Sequence, residues 1–266
     1  MAFLSERYLM LGVVRFDTEA SLVIVDFVAE ASEQRELDAV ENAFTFHFPR
    51  LAENTFIPNM QIRSDPAPIW TPDPKLAVPF FTARHNRLYV ISLVLVNGNF
   101  LTILFYALGN TFLSLIKQAG GQGNKQFSWD RWGPEGSRLI IPRRALSPTW
   151  VCYVYGTRCV STRRQSRTKR VCLYDFNQLA LRWSKQQDAR MSDINNAVED
   201  DGLEGCLVCV TAPTRFEAGE IFEEDVETRL GYRMGYWTVP GVTPGMSLEA
   251  MCSEDGLVLV VSVLGQ

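Results

Sequence analysis

Histidine is almost absent from this chain, which contains only His47 and His85. Most catalytic triads and histidine-rich metal sites need more imidazole groups, so both kinds of site are largely excluded. His47 alternates with phenylalanines in FTFHFPR, which is the pattern of a strand with one buried face, and His85 lies in the polar segment ARHNR. We therefore expect no metal site and no cofactor.

Charge is absent from residues 89–116, which raises the question of a membrane span. A transmembrane helix needs about 20 apolar residues in a row, and here it would place Asn-Gly-Asn at 97–99 near the bilayer centre. An Asn-Gly pair between apolar, β-branched runs instead indicates a hairpin turn, because both turn positions tolerate positive φ. We predict two paired strands, 88–96 and 99–107, covered on both faces.

A secretory signal is also missing, since Glu6 and Arg7 interrupt the first apolar run and no small-residue cleavage site follows it. The sequence contains no Asn-x-Ser/Thr acceptor for glycosylation. These absences predict a cytoplasmic or nuclear protein that is not secreted. The net charge of −4 gives no overall field that would attract nucleic acid or an anionic membrane, so we expect neither as a partner.

The six cysteines fall in the C-terminal half, at Cys152, Cys159, Cys172, Cys206, Cys209 and Cys252. Most lie inside apolar segments, which favours buried free thiols. Cys206 and Cys209 have the C-x-x-C spacing of a metal or redox site. We interpret 203–211 as a strand, where residues three apart point to opposite faces, so the two thiols should not converge.

Short apolar runs bounded by turn residues recur along the chain. They lie at 8–16, 21–29, 56–62, 88–96, 99–107, 138–142, 150–156, 170–176, 203–211, 233–239 and 257–264. Helical periodicity is limited to 32–40, 111–117 and 177–186. This density of strands is typical of a sandwich, barrel or propeller. We predict one β-rich domain over 1–266: a mainly antiparallel all-β fold, propeller-like or sandwich-like and not necessarily complete, with a few short helices.

Acidic side chains form two clusters. The first is Glu199, Asp200, Asp201 and Glu204, and the second is Glu217, Glu220, Glu223, Glu224, Asp225 and Glu227. A solvated loop face is the ordinary state of such runs, although a hydrolase that uses them is a remote alternative. No motif supplies a nucleophile, a base and oxyanion donors together, so we predict no enzyme activity and no catalytic residue.

One basic run, TRCVSTRRQSRTKRV at 157–171, contains neither acidic nor aromatic residues. Its cations are Arg158, Arg163, Arg164, Arg167, Lys169 and Arg170. The run lies between two predicted strands, so a solvated hairpin loop is the simplest interpretation. Clustered guanidinium groups also bind phosphate and carboxylate groups, which makes the run a candidate patch for an anionic partner. The missing aromatic residues argue against single-stranded nucleic acid.

Three linked motifs follow one another between 127 and 177: FSWDRWGPEGSRLIIP, WVCYVYGTRCV and VCLYDFN. Their order and spacing resemble the C-terminal region of the F-box-like proteins of mushroom-forming fungi. The matching positions are Trp129, Trp132, Gly133, Pro134, Arg138, Trp150, Tyr153, Tyr155, Gly156, Arg158, Asp175, Phe176 and Asn177. VPFFT at 78–82, the hairpin and the closing strands are also similar to that family, so the resemblance covers nearly the whole chain.

Members of this family are expected to carry an N-terminal F-box, which docks onto the adaptor of a cullin-type ubiquitin ligase, and a β-rich, propeller-like region. This sequence opens with the strand-like MAFLSERYLMLGVV and has no helical segment that matches an F-box. The resemblance implies a non-catalytic protein-interaction module for an unknown protein client, with ligase docking only if an F-box lies upstream. A truncated or orphan structural domain without independent activity is the alternative.

The motif residues also have a structural interpretation of their own. We predict a turn fixed by Gly133-Pro134 next to Trp129 and Trp132, because proline sets φ and glycine permits close backbone approach. The aromatic residues of the second motif supply large strand-face area with polar tips that need partners. Asp175 and Asn177 indicate a strand end that turns through side-chain to backbone hydrogen bonds.

Overall fold

A computed structural model of the chain describes residues 1–16, 18–29, 43–68, 85–120, 124–142, 153–165, 168–187, 205–243, 246–253 and 256–263. Of these residues, 54% lie in strands and 14% in helices, which confirms the all-β prediction with a few short helices. The strands are β1 (Ala2–Phe3), β2 (Tyr8–Arg15), β3 (Glu19–Asp26), β4 (Ala43–His47), β5 (Phe56–Arg63), β6 (Leu88–Asn97), β7 (Asn99–Leu108), β8 (Lys125–Phe127), β9 (Ser137–Ile140), β10 (Val154–Tyr155), β11 (Arg158–Gln165), β12 (Thr168–Asp175), β13 (Val208–Val210), β14 (Thr214–Phe216), β15 (Val226–Thr228), β16 (Tyr232–Thr238), β17 (Met246–Cys252) and β18 (Leu257–Val263). The helices are α1 (Gly109–Gln118), α2 (Trp129–Gly136) and α3 (Gln178–Gln187).

The strands form four main sheets that follow one another along the chain. Sheet I has the order β1-β2-β3-β4-β8, sheet II β5-β6-β7-β9, sheet III β10-β11-β12-β16-β13 and sheet IV β17-β18, with β14-β15 as a short extra pair. Neighbouring strands are antiparallel, except that β8 runs parallel to β4. The predicted antiparallel character is therefore correct.

The uncharged stretch folds as the long hairpin β6–β7 in the middle of sheet II, as predicted. Asn97 pairs with Asn99 across the turn, and Gly98 between them has φ of 68°, which glycine adopts without strain. Odd-numbered residues of β6, such as Leu93, belong to one hydrophobic cluster, and even-numbered ones, such as Val90, belong to another. Among the described residues, no helix has the length and apolarity needed to cross a membrane.

The four sheets pack face to face in chain order. Sheet I covers the odd-numbered face of the hairpin, and sheet III covers its even-numbered face. Sheet IV packs on the far side of sheet III, where Val160 and Val171 share a cluster with Leu248 and Ala250. This layering explains why both hairpin strands lack the apolar and polar alternation of a half-exposed strand.

The core between sheets I and II is built around Phe46 of β4. Its ring centroid lies 4.6 Å from that of Phe127, 5.1 Å from that of Phe112 on α1, and 6.2 Å from that of Trp132 on α2. The opposite-facing His47 is exposed, as the FTFHFPR pattern predicts. The two helices therefore close one end of this layer by inserting one aromatic side chain each.

Several elements differ from the sequence prediction. Helices α1 and α3 lie where they were expected, whereas the predicted helix at 32–40 lies outside the described residues. The basic run is strand rather than loop, since β11 and β12 extend through it. β14, β15 and β17 were not predicted, because they are short or interrupted by charges such as Arg215, Glu227 and Glu249.

The turn predicted at Gly133-Pro134 is corrected to the short helix α2, which contains Pro134. A Cβ atom on Gly133 would lie 2.3 Å from the Trp129 ring, so the absence of a side chain lets that ring cover the helix surface. The Gly-Pro dipeptide indicated a turn. The packing of the buried Trp132 and the half-buried Trp129 on one short helix outweighs the loss of one helix hydrogen bond at Pro134.

We expect Phe46→Ala to destabilise the chain by about 3–5 kcal/mol, because it removes the ring that links sheet I to both helices. Urea unfolding followed by tryptophan fluorescence measures this change. Phe100→Ala is the matched control, since Phe100 is 81% exposed and its loss should cost less than about 0.5 kcal/mol. Equal destabilisation by the two variants would contradict the described core.

Candidate binding site at the hairpin end

A cavity of about 260 Å³ lies beside the turn of the β6–β7 hairpin, and we call it the tip pocket. The lining residues come from the loop before β5, from both ends of the hairpin turn, and from the loop between β14 and β15. They are Thr55, Leu95, Asn97, Asn99, Phe100, Leu101, Glu220 and Ile221. Drug-sized ligands occupy larger cavities, of about 300–1,000 Å³, so the tip pocket matches a single side chain better than a cofactor.

Backbone hydrogen bonds fix the loop that carries Glu220. The Ala52 N–H donates to the Ile221 carbonyl at 2.9 Å, and the Glu223 N–H donates to the Arg50 carbonyl at 3.0 Å. Ile221 and Phe222 are buried in the core between sheets I and II. The wall of the pocket opposite the hairpin is therefore anchored by both hydrogen bonds and apolar packing.

The tip pocket combines an apolar floor with a polar rim. Leu95 and Ile221 are buried, whereas the rim residues Asn97, Asn99 and Glu220 are exposed. A floor of this kind accommodates methylene groups, and the rim offers amide and carboxylate oxygens as hydrogen-bond acceptors. The arrangement suits a long side chain with a polar or cationic end.

Thr55 lines the same pocket, and its side-chain hydroxyl lacks a hydrogen bond. Its residue is 3% exposed, and its Oγ1 is buried with no partner among the described residues. A buried polar atom left without a partner costs about 1–3 kcal/mol. The Oγ1 atom is itself closed to solvent, so a ligand in the pocket reaches it only if the pocket wall moves.

The hairpin end also carries an apolar row next to the tip pocket, which we call the aromatic row. Phe56 lies opposite Val96, and Val96 lies opposite Phe100, so the three side chains share one face of sheet II. Phe56 is 43% exposed and Phe100 is 81% exposed. Two large exposed rings beside a pocket are typical of a surface that contacts another protein.

The second acidic cluster lies in the loop between β14 and β15 and on β15, and its described contacts do not form a catalytic carboxylate pair. Asp225 accepts a hydrogen bond from the Ala218 N–H at 2.8 Å, and Glu227 pairs with both Arg229 and Arg215. The hydrogen bond from Arg229 is the main cause that lowers the pKa of Glu227. Glu220 is the one carboxylate that lines the pocket, and the first acidic cluster lies outside the described residues.

The structure divides the basic run rather than gathering it into one patch. Arg158 lies at one end of β11, opposite Asp175, and the remaining cations lie at the other end of the β11–β12 hairpin. There Lys169 donates to the Met246 carbonyl, and the Arg170 guanidinium lies 4.7 Å from the Tyr236 ring centroid. Arg167 lies outside the described residues, as do the side chains of the two arginines at 163–164.

The register of β11 against β12 places like charges opposite each other at that end of the hairpin. Arg163 lies directly opposite Arg170, and Arg164 lies directly opposite Lys169. Like charges directly opposite each other on neighbouring strands destabilise a sheet. The first pair lies on one face of the hairpin and the second on the other, so one anion can reduce the repulsion of only one pair.

The first motif of the family resemblance is a structural scaffold on α2 and β9. Trp132 is buried and its indole N–H donates to the His47 carbonyl at 2.9 Å, which ties α2 to sheet I. The Trp129 ring packs edge-on against Trp132 at 5.0 Å between centroids. The carbonyl of Pro134 accepts a hydrogen bond from the Arg229 N–H at 2.7 Å.

Arg138 on β9 has the largest fully buried side chain of the described residues. It donates to the carbonyls of Leu230 and Ala212 at 2.9 and 2.7 Å and to the Thr214 hydroxyl at 2.9 Å. Its guanidinium lies 5.3 Å from the ring centroid of Tyr232, and burial lowers its pKa. The residue therefore fastens the segments around β14 and β16 to sheet II.

The second motif joins sheets II and III. Gly156 has φ of 59°, its N–H donates to the Asp65 carbonyl at 2.7 Å, and its carbonyl accepts from the Leu88 N–H at 2.7 Å. Tyr153 and Tyr155 pack against the cluster between sheets III and IV, and burial raises the pKa of Tyr153. Trp150 lies outside the described residues.

The third motif turns the chain from β12 into α3. Asp175 is buried, forms an ion pair with Arg233, and accepts from the Asn177 N–H at 3.0 Å. The Asn177 side chain then accepts from the N–H groups of Leu179 and Ala180, both at 3.1 Å, and caps the helix. Phe176 between them stacks on Tyr106 at 5.0 Å between ring centroids.

The cysteines bring no metal site together in the described part of the chain. Cys159, Cys172 and Cys252 are buried free thiols, and burial raises the pKa of Cys252 to about 12. Cys206 precedes β13 and is exposed, whereas Cys209 lies within that strand. Among these residues, no group of three or more His, Cys, Asp and Glu side chains is placed to hold an ion.

Comparisons of the chain with protein-family models, with curated proteins and with solved structures give no match. The resemblance to F-box-like proteins therefore stays a prediction, and the candidate site depends on the structure alone.

The residues of the tip pocket were not identified as a site from the sequence. The Asn-Gly-Asn turn marks the hairpin end in the sequence, although a single exposed aromatic residue such as Phe100 is ordinary on a protein surface. Thr55 and Glu220 carry no such signal, because they reach the pocket only through the pairing of segments distant in sequence.

We expect Arg138→Met to destabilise the chain by about 3–5 kcal/mol, because it leaves the acceptors at Leu230, Ala212 and Thr214 unpaired in a buried site. Thermal and urea unfolding measure the change. Arg131→Met is the control, since Arg131 is exposed on the neighbouring helix α2 and should change stability by less than about 0.5 kcal/mol. Unchanged stability of Arg138→Met would show that the buried guanidinium does not hold these segments together.

Proposed function

We propose that the chain is a non-catalytic protein-interaction module that binds a segment of a client protein at the end of the β6–β7 hairpin. The observation that carries the proposal is the tip pocket, which has an apolar floor and a polar rim of Asn97, Asn99 and Glu220. Binding of this kind uses loops and strand ends held by a rigid β scaffold, and it requires no chemistry by the module itself.

The pocket favours a lysine or arginine side chain as the group it receives. The carboxylate of Glu220 supplies the opposite charge, and Asn97 and Asn99 supply acceptor oxygens around it. The apolar floor contacts the methylene stem of the incoming side chain while its charged end stays at the rim. The surrounding carboxylates of the second acidic cluster increase the rate of encounter with a basic segment.

The aromatic row supports an extended contact around that central side chain. Aromatic residues are enriched among the few positions that provide most of the binding energy in protein interfaces. Phe56 and Phe100 lie at the same end of sheet II as the pocket, and Phe100 also lines it. A client segment that wraps around the hairpin end would contact both surfaces.

The family resemblance fits this proposal. On that reading the chain is the substrate-binding region of an F-box-like ubiquitin-ligase adaptor of the cytoplasm or nucleus. Ligase docking would come from an F-box preceding this region. The alternative of an orphan structural domain predicts no saturable client binding at the hairpin end.

The test is selection of a random 12-residue peptide library on the immobilised chain, followed by binding measurements with the enriched peptides. We expect enrichment of lysine or arginine at one position. Glu220→Gln should then weaken binding by about tenfold, which corresponds to about 1.4 kcal/mol. Phe100→Ala should weaken it as well.

Glu224→Gln is the matched control, because Glu224 is an exposed carboxylate of the same loop that does not line the pocket. This variant should reduce affinity by less than about twofold, since an exposed rim charge contributes less than about 1 kcal/mol. Equal effects of Glu220→Gln and Glu224→Gln would show that the negative charge of the loop, and not the tip pocket, attracts the peptide. Failure to enrich any peptide would remove the support for an interaction module.

A second candidate function is anion binding at the β11–β12 hairpin end, and the two like-charge pairs favour it. Arg163→Thr combined with Arg164→Thr should raise the thermal midpoint in low salt, because repulsion across the strands is removed. Inorganic pyrophosphate should raise the midpoint of the parent chain and leave that of the variant unchanged. An equal response of both chains to pyrophosphate would show that Arg163 and Arg164 do not form the anion-binding site.

A further inference from the structure

Most sheet edges in the described part of the chain are too short or too irregular to pair with another strand. β1 and β10 have 2 residues each, and β8 and β13 have 3 residues each. β9 has 4 residues. The longer edge strand β5 contains Pro58 and a bulge between Phe56 and Asn59. Proteins protect sheet edges from association by such features.

Strand β18 has none of these protections. It has 7 residues, LVLVVSV, with neither charge nor proline, and its pairing with β17 continues without a bulge from Leu257 to Val263. The other long strand of sheet IV, β17, carries Glu249 at its centre. Within the described residues, β17 is the one strand that β18 pairs with, so its second edge has no partner there.

Strand β18 has exposed apolar side chains on both of its faces. Leu257, Leu259 and Val261 lie on the face directed towards sheet III, yet they are 40%, 42% and 47% exposed. Val258 on the other face is 47% exposed. The strand therefore extends past the cover that sheet III provides, and it exposes apolar surface along the same line as its free backbone groups.

We propose that two copies of this chain pair through β18, antiparallel and about a twofold axis at Val260. Sheet IV and its counterpart then form one four-stranded sheet. In this register Leu257 faces Val263 of the second copy, Leu259 faces Val261, and Val258 faces Ser262. Each exposed apolar side chain of the inner face meets an equivalent apolar side chain, so the strand is complementary to itself, as an isologous contact requires.

Self-pairing fits the chemistry of this edge better than pairing with a charged client. The net charge of the chain is −4, so two copies repel each other weakly at long range, and β18 adds no charge to that repulsion. The contact lies on sheet IV and does not involve the tip pocket. It would hold whether or not the proposed client binding is correct.

The test is a pair of charge variants on the solvent-facing side of β18. In the proposed register, Val258→Lys combined with Ser262→Lys places two lysine pairs across the axis, and the dimer should dissociate. Val258→Lys combined with Ser262→Glu places two lysine–glutamate pairs there, and the dimer should form. Within one subunit these positions face the uncharged Met251 and Ser247, whereas Glu249, opposite Val260, is diagonal to both. Urea unfolding of each variant therefore measures the effect of Glu249 within the single subunit.

Sedimentation equilibrium of the full chain reads out the mass, with a dimer at about twice 30.1 kDa. We expect at least a tenfold difference in dimer dissociation constant between the two variants, and urea unfolding of each checks that it is folded. A monomer at every concentration of the parent chain would overturn the proposal and leave the edge for an extended segment of another protein. A dimer that persists equally in both variants would overturn it too.

A cysteine pair provides an independent readout that needs no change of charge. Val260→Cys places its Cα about 4.5–5.5 Å from that of the second copy, a distance that a disulfide bridges. Val258→Cys places the equivalent atoms about 13 Å apart, because the two residues are offset by four positions. Mild oxidation, in a Cys206→Ser background, should link the first variant at least tenfold faster. Equal rates would exclude the antiparallel register.

Discussion

Burial of the β6–β7 hairpin on both faces is the constraint on which the rest of the structure depends. Its strands are apolar at nearly every position from Leu88 to Leu108, so one covering layer is insufficient and two are required. Sheet I supplies the first and sheet III the second. Sheet III then needs its own cover, which sheet IV provides in part. The stack follows from one uncharged stretch near the middle of the chain.

Buried polar side chains set the layers in register where apolar packing is not directional. Arg138 binds the segments around β14 and β16 to sheet II, and the Asp175–Arg233 pair links the adjacent strands β12 and β16 within sheet III. Arg87 donates to the carbonyls of Phe3 and Leu4 at 2.8 and 3.2 Å, which ties the N-terminal segment to the hairpin. Each of these groups is costly to leave unpaired, so each favours one arrangement of the layers over its alternatives.

The two surfaces with functional potential lie where this stack ends. The tip pocket forms at the turn of the central hairpin, which projects past its covering layers, and the β18 edge forms at the last layer, whose cover is incomplete. One surface is acidic and polar at its rim, and the other is uncharged and apolar. They suit different partners, a basic client segment and a second copy of the chain, and they do not compete for the same residues.

The sequence by itself determined the all-β class, the hairpin with its Asn-Gly-Asn turn, the strand end that turns at Asp175 and Asn177, and helices α1 and α3, because each depends on local periodicity or turn chemistry. It misjudged α2 and β11, where buried tryptophans and strand pairing outweigh a Gly-Pro signal and a run of charges. The tertiary structure alone decided that Thr55 and Glu220 share a pocket and that β18 is an unprotected edge. Both depend on which distant segments lie side by side, and the local sequence pattern does not predict that pairing.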